Sequence, residues 1–181
     1  MASRAYSLDL NIDPKHSAVS FKIKHLGIST VSGKFDTFTG TVQMEPGKLE
    51  TLKATAKIDA NSIDTGVADR DKHLRSGEFF DVQKYPDITF ASKEVRNVSG
   101  QQCECVGDLT MHGVTKPVTL NVEFGGLIKD PWGNQRAAFT ATGTLNRKDF
   151  GLTWNKALET GSLMVGEDVK IILEIEAAEK K

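Results

Sequence analysis

The sequence predicts an all-β fold in which about eight antiparallel strands close into a barrel, with one short helix at about residues 66–75. Apolar and polar residues alternate with period two in segment after segment, the signature of half-buried strands. Turn-forming residues fall between those segments, so consecutive strands pair as antiparallel neighbours. An open sheet of that many strands leaves two exposed edges, and curling the sheet until they meet removes both. The 181 residues suit one such domain, residues 1–181, since all-β barrels often reach this length as a single unit.

The first strong strand carries Val19, Phe21 and Ile23 against Ser20, Lys22 and Lys24. A weaker candidate covers 30–44, and Ala54, Ala56 and Ile58 alternate with Thr55, Lys57 and Asp59 in the next. Between Asp64 and Gly77 the rhythm changes: Asp64 or Thr65 can cap a helix, Val67 and Leu74 share one of its faces, and Gly77 can end it. Weaker strands follow at 86–95 and 101–111. Val118, Leu120, Val122 and Phe124 alternate next, then Ala137, Phe139, Ala141 and Leu145, and finally Val169, Ile171, Leu173 and Ile175. Turns are expected at Glu45-Pro46-Gly47, Val98-Ser99-Gly100, Met111-His112-Gly113 and Asp130 to Asn134, the last with Trp132 in a structural role. No repeat, low-complexity tract or linker divides the chain.

Composition excludes several functions. The 23 basic and 24 acidic residues give a formal charge of -1, and the basic ones are scattered, so no footprint for nucleic acid exists. No apolar stretch approaches a membrane-spanning length. The opening residues Met1 to Ser7 lack the apolar run of a signal peptide, so the chain as given is expected in the cytoplasm, or in the periplasm if a leader has been removed ahead of it. Cys103 and Cys105 stand two apart on one strand face, where a bridge between them is strained. No Cys or His nearby completes a zinc site, and no metal or cofactor is expected.

A barrel of about eight strands is wide enough to be packed solid or to hold one small ligand. Strands of about nine residues, tilted near 40°, span roughly 23 Å along the axis, which suits a chain more than a ring. Inward parity assigns Phe21, Ile23, Leu120, Val122, Phe139, Ala141, Ile171 and Leu173 to the lining of such a pore. Ala54, Ala56, Ala137, Ala141 and Gly143 are small enough to leave space along the axis. The same pattern also serves a solid core in which Phe21, Leu120, Phe139 and Leu173 meet, with the outer face docking a partner protein; periodicity leaves both open.

The polar candidates lie on the helix and at strand ends. Arg70 and His73 on it, and His25 at the end of an apolar inner face, are positioned to meet a ligand headgroup, while Asp71 can hold Arg70 or Arg75 and orient the helix. His16 with Asp13 is expected to close a barrel end. An acid and base pairing of His73 or His25 with Asp71 is allowed by residue type alone. No nucleophile elbow, zinc motif or phosphate loop supports it, so the chain reads as a binding protein and not an enzyme.

A series of motifs runs in order along the chain: Asp13-Pro14-Lys15-His16-Ser17, His25-Leu26-Gly27, Ser62-Ile63-Asp64-Thr65, Arg70-Asp71-Lys72-His73-Leu74, Tyr85-Pro86-Asp87-Ile88-Thr89-Phe90, His112-Gly113-Val114-Thr115-Lys116-Pro117-Val118 and Asn146-Arg147-Lys148-Asp149-Phe150-Gly151. In these the sequence resembles the YceI (polyisoprenoid-binding) family over roughly residues 6–177. The resemblance implies a lipocalin-like eight-stranded barrel with a long hydrophobic pore. It further implies a polyisoprenoid, isoprenoid quinone or fatty-acid derivative as ligand, to be bound, stored or transported, and a homodimer. Many members carry a secretion leader, and this chain shows none.

Overall fold

The computed structural model describes residues 6–179, which form eleven strands and one α-helix. In chain order these are β1 (Leu8–Ile12), β2 (Ala18–His25), β3 (Ser29–Phe35), β4 (Phe38–Glu45), β5 (Lys48–Asp59), β6 (Ile63–Asp64), α1 (Ala68–Arg75), β7 (Asp87–Ser99), β8 (Gln102–Met111), β9 (Val114–Lys129), β10 (Gln135–Asn146) and β11 (Val165–Glu179). Met1 to Ala5, most of the segment inspected for a leader, lie outside the described residues. The strands pair antiparallel in the order β1-β4-β5-β7-β8-β9-β10-β11, and β11 returns to β1, closing an eight-stranded ring.

Two of the eight staves are interrupted. Asp13 and Pro14 break the first: Pro14 has no N–H for the ladder, and the Asp13 carboxylate accepts the Lys15 N–H at 3.0 Å, which turns the chain. Before the break β1 lies along the end of β11, with Leu10 opposite Glu179; after it β2 lies along the first half of β11, with Phe21 opposite Ile171. A second break at Asp36 and Thr37 divides the segment expected at 30–44 into β3 and β4. Residues 8–45 are therefore one long hairpin, its tip at Leu26 to Ile28, where Leu26 and Gly27 take left-handed conformations at φ 54° and 71°. Above the second break β6 pairs with β3, Phe35 opposite Ile63, and completes the wall.

The helix occupies the expected place, but its ends differ from expectation. Val67 precedes it with no side-chain cap, because Asp64 is turned to the Gly66 N–H (2.8 Å) and Thr65 to Asp71. Ser76 ends the helix, its N–H bonded to the His73 carbonyl, with no need of Gly77. Leu74 faces inward, whereas Val67 is 47% exposed.

The two ends of the barrel are built differently. At the end away from α1, Leu8, Leu10, Met44, Leu49, Ala137 and Ala177 are buried against one another as a solid plug. Outside that end, the Arg136 guanidinium bonds Asp130 (2.9 Å), Asp13 (3.1 Å) and Glu176 (2.6 Å), tying the first break to β10 and β11. His16 joins the same cluster through Asp13 (2.9 Å) but is 59% exposed on the outer wall. It braces the kink in the first stave and closes no barrel end, because the side chains of β10 and β11 in this cluster alternate with the inward Ala137 and Ala177.

Candidate functional site

Towards α1 the interior opens into a cavity of about 410 Å³, within the usual range of small-molecule sites, about 300–1,000 Å³. All eight side chains assigned to a pore by parity, Phe21, Ile23, Leu120, Val122, Phe139, Ala141, Ile171 and Leu173, line it. Phe21, Leu120, Phe139 and Leu173 do not meet as a solid core, because small residues stand between the large ones. Ala54, Ala56 and Ala141 line the space, while Ala137 belongs to the plug. Gly143 instead lets Leu120 approach, since a Cβ there would meet Leu120 Cδ2 at 2.9 Å.

The aromatic rings are kept against the wall by glycines on neighbouring strands. Phe21 sits opposite Gly33, and a Cβ on Gly33 would lie 2.8 Å from Phe21 Cε1 and nearer still to Cζ. Gly107 plays the same part for Phe90, whose Cζ would stand 2.5 Å from an added Cβ. Rings laid over glycines line the lumen without crossing it.

Around the helix end the lining becomes polar and basic, with Lys24, His25, Arg70, His73 and Arg147. Arg70 donates from Nε to Thr65 Oγ1 (2.7 Å) and from Nη2 to the Thr65 carbonyl (2.9 Å). Buried Asp71 accepts both the hydroxyl (2.6 Å) and the backbone N–H (2.9 Å) of Thr65. Asp71 thus orients the helix through Thr65, not by pairing with Arg70 or Arg75; Arg75 bonds the Asn61 and Ile63 carbonyls. His73 Nε2 meets Glu78 at 2.5 Å, and its ring contacts Phe79 and Trp154 edge-on at 5.0 and 4.9 Å between centroids. Neither His73 nor His25 is paired with Asp71, so the couple that residue type allowed is not assembled; His73 pairs with Glu78 instead. The His25 ring has no hydrogen-bond partner among the described residues.

Trp154 comes from the irregular segment between β10 and β11, and Arg147 places that segment. Its side chain, 3% exposed, donates to the carbonyls of Leu152 (2.6 Å), Trp154 (2.9 Å) and Gly166 (2.8 Å). Gly151, at φ 76°, supplies the left-handed turn that brings residues 152–154 back beneath it. Burial lowers the Arg147 pKa from its usual value, opposed by the nearby Glu167 charge. The Asn146 to Gly151 motif carries this anchor, a role that periodicity does not reveal because an arginine between strand and turn gives no periodic signal.

The family model for the YceI-like domain matches residues 10–177. The chain belongs to the YceI-like family. A UPF0312 protein of Staphylococcus aureus is 44% identical over 163 residues, covering 90% of this chain and 92% of that one. The YceI protein of Campylobacter jejuni has a solved structure similar to this one, with TM-score 0.76 and 34% identity over 88% of this chain and 91% of that chain. A polyisoprenoid binding domain from Saccharophagus degradans, implicated in plant cell wall breakdown, shares the fold, with TM-score 0.65, 17% identity, and 96% and 99% of the two chains covered.

In this YceI-like barrel, Cys105 lines the cavity and Cys103 lies deeper, both as free thiols. Burial, and secondarily the neighbouring Cys103, pushes the Cys105 pKa to about 11, so it stays a protonated apolar wall group at neutral pH. Asp13, His16 and Glu176 have their ligand atoms within 4.8 Å of one another, the only such trio among the described residues. Arg136 already bonds both of its carboxylates, which makes it an ion-pair network. Trp132 is 78% exposed: its hairpin is held by the Asp130 carboxylate, which accepts the N–H groups of Trp132 (3.0 Å) and Asn134 (2.9 Å), not by the indole. No helix is long and apolar enough to cross a membrane among the described residues.

Proposed function

We propose that this protein binds, and so stores or carries, an amphiphile whose single long apolar chain lies in the barrel, with Phe21, Ile23, Leu120, Val122, Phe139, Ala141, Ile171 and Leu173 as the contact surface. The observation that carries this reading is the cavity itself, apolar through its depth and polar only at one mouth. Burying about ten methylene-sized groups at about 0.8 kcal/mol each supplies roughly 8 kcal/mol before the costs of association, enough for useful affinity without elaborate headgroup chemistry. Polyisoprenoid binding by the Saccharophagus degradans domain supports an apolar chain as the ligand class. The plug at the far end supports entry of the chain tail first, with the headgroup beside His25, Arg70 and His73.

Organic extraction and mass spectrometry of freshly purified protein test the proposal. A stoichiometric long-chain lipid is expected, and delipidated protein takes up a fluorescent alkyl probe. Ala141→Phe, which projects a ring into the lumen, reduces uptake at least tenfold while the barrel still melts cooperatively. An empty extract together with no uptake refutes the proposal.

A further inference from the structure

The formally charged side chains on the cavity wall, Lys24, Arg70 and Arg147, share one sign; His25 and His73 stand beside them, and no Asp or Glu lines the wall among the described residues. The carboxylates around this end are already partnered: Glu78 with His73, Asp71 with Thr65, and Glu167 with Lys148 at 3.1 Å. No carboxylate oxygen among the described residues lies within 4 Å of a nitrogen of Arg70 or Arg147, whereas Arg96 and Arg136 each pair with at least one.

The two arginines differ in what they have left to give. Arg147 spends its donors on backbone carbonyls, which are neutral, and the nearby Glu167, itself paired with Lys148, offsets its positive charge only in part. Arg70 uses Nε and one Nη2 hydrogen on Thr65, and its Nη1 makes no protein hydrogen bond among the described residues. A guanidinium carries five N–H donors in a fixed fork, so three of them, both on Nη1 and one on Nη2, remain for an acceptor. The bonds to Thr65 hold that fork in one orientation. A fixed guanidinium with unused donors, in a site partly screened from water, favours an anionic acceptor over a neutral one.

We propose that the ligand is a single-tailed amphiphile ending in an oxyanion, a carboxylate or a phosphate monoester, which Arg70 Nη1 binds at the cavity mouth. This deepens the function proposed above and rests on it. The blind far end puts the anionic group beside Arg70.

Competition against a fluorescent alkyl probe on the delipidated full chain tests the inference with tetradecanoate, tetradecyl phosphate and tetradecanol. A charge-assisted hydrogen bond at such a site is worth roughly a tenfold to hundredfold difference in Kd. Both acids, or one of them, are expected to bind at least tenfold more tightly than the alcohol, and the tighter one identifies the headgroup. In Arg70→Gln that ratio falls to within about threefold, and Arg70→Lys, which keeps the charge without the fork, gives an intermediate ratio. Equal binding of acids and alcohol by the unmodified protein overturns the inference while leaving the apolar-chain reading intact. An acid preference that survives in both variants overturns the assignment to Arg70. Failure of all three compounds to bind, with the probe also excluded, defeats the underlying reading as well.

Discussion

Substituting alanine at Gly33 and at Gly107 should give opposite outcomes, because the added Cβ meets different obstacles. At Gly33 its three nearest atoms all belong to the Phe21 ring, with Cε1 and Cε2 at 2.8 and 2.9 Å. Ordinary carbon contacts stand at about 3.5–4.0 Å, so the ring must retreat by roughly 1 Å. Phe21 lines the cavity, and the space available to it is the lumen. Gly33→Ala therefore costs little stability, under about 1 kcal/mol, but takes one or two methylene positions from the ligand. At about 0.8 kcal/mol each, that weakens binding of the longest tail that fits by roughly fourfold to fifteenfold, with little effect on tails a few carbons shorter. At Gly107 the Cβ also meets the Ala91 carbonyl oxygen at 2.6 Å, which is backbone and cannot swing aside. Gly107→Ala should then destabilise the barrel by about 1–3 kcal/mol. Urea denaturation measures stability, and binding of an alkyl series from ten to eighteen carbons measures capacity. If Gly33→Ala melts like Gly107→Ala and leaves the chain-length profile unchanged, the rings do not define the lumen as argued.

Other perturbations test the supports of the site. Hydrogen bonding to His16, and then to Arg136, holds the Asp13 pKa at about 2 against an ordinary 3.8. A depressed carboxylate contributes stability that is fully present above its unfolded value and is lost as pH falls through its folded one. Asp13→Asn should accordingly be less stable than the unmodified protein by about 1 kcal/mol at pH 7, the gap closing between pH 4 and 2 in a series of urea titrations. Cys105, with its pKa raised to about 11, should react with an aromatic disulfide reagent at pH 8 at least a hundredfold more slowly in the folded protein than in denaturant; equal rates would place the thiol outside the wall. Arg147→Met removes the bonds to Leu152, Trp154 and Gly166. It should cost about 2–4 kcal/mol and raise hydrogen exchange across 152–166 before the strands respond; uniform exchange would show that Arg147 does not anchor this segment alone.

The strands that wall the cavity were legible in the sequence because a strand's period is local: once Phe21 faces inward, Val19 and Ile23 follow without knowledge of any partner. Parity therefore placed all eight predicted lining residues on the inner face. It passed over β1, whose Leu8, Leu10 and Ile12 alternate for only five residues. That omission hid the plug, because Leu8 and Leu10 close the far end only by packing with Met44 and Ala177 from strands distant in sequence.

Sequence by itself determined the all-β class, the position of the helix, the inward faces of the long strands and the family. Only the tertiary structure decided whether those faces met or stood apart. Volume inside a barrel depends on which residues oppose one another across strands, and Phe21 over Gly33 is a pairing that no local pattern specifies. It also decided the basic character of the mouth, which arises from β2, α1 and the segment after β10 converging from three parts of the chain. Periodicity fixes a direction for each side chain; the register of distant strands fixes what it meets there.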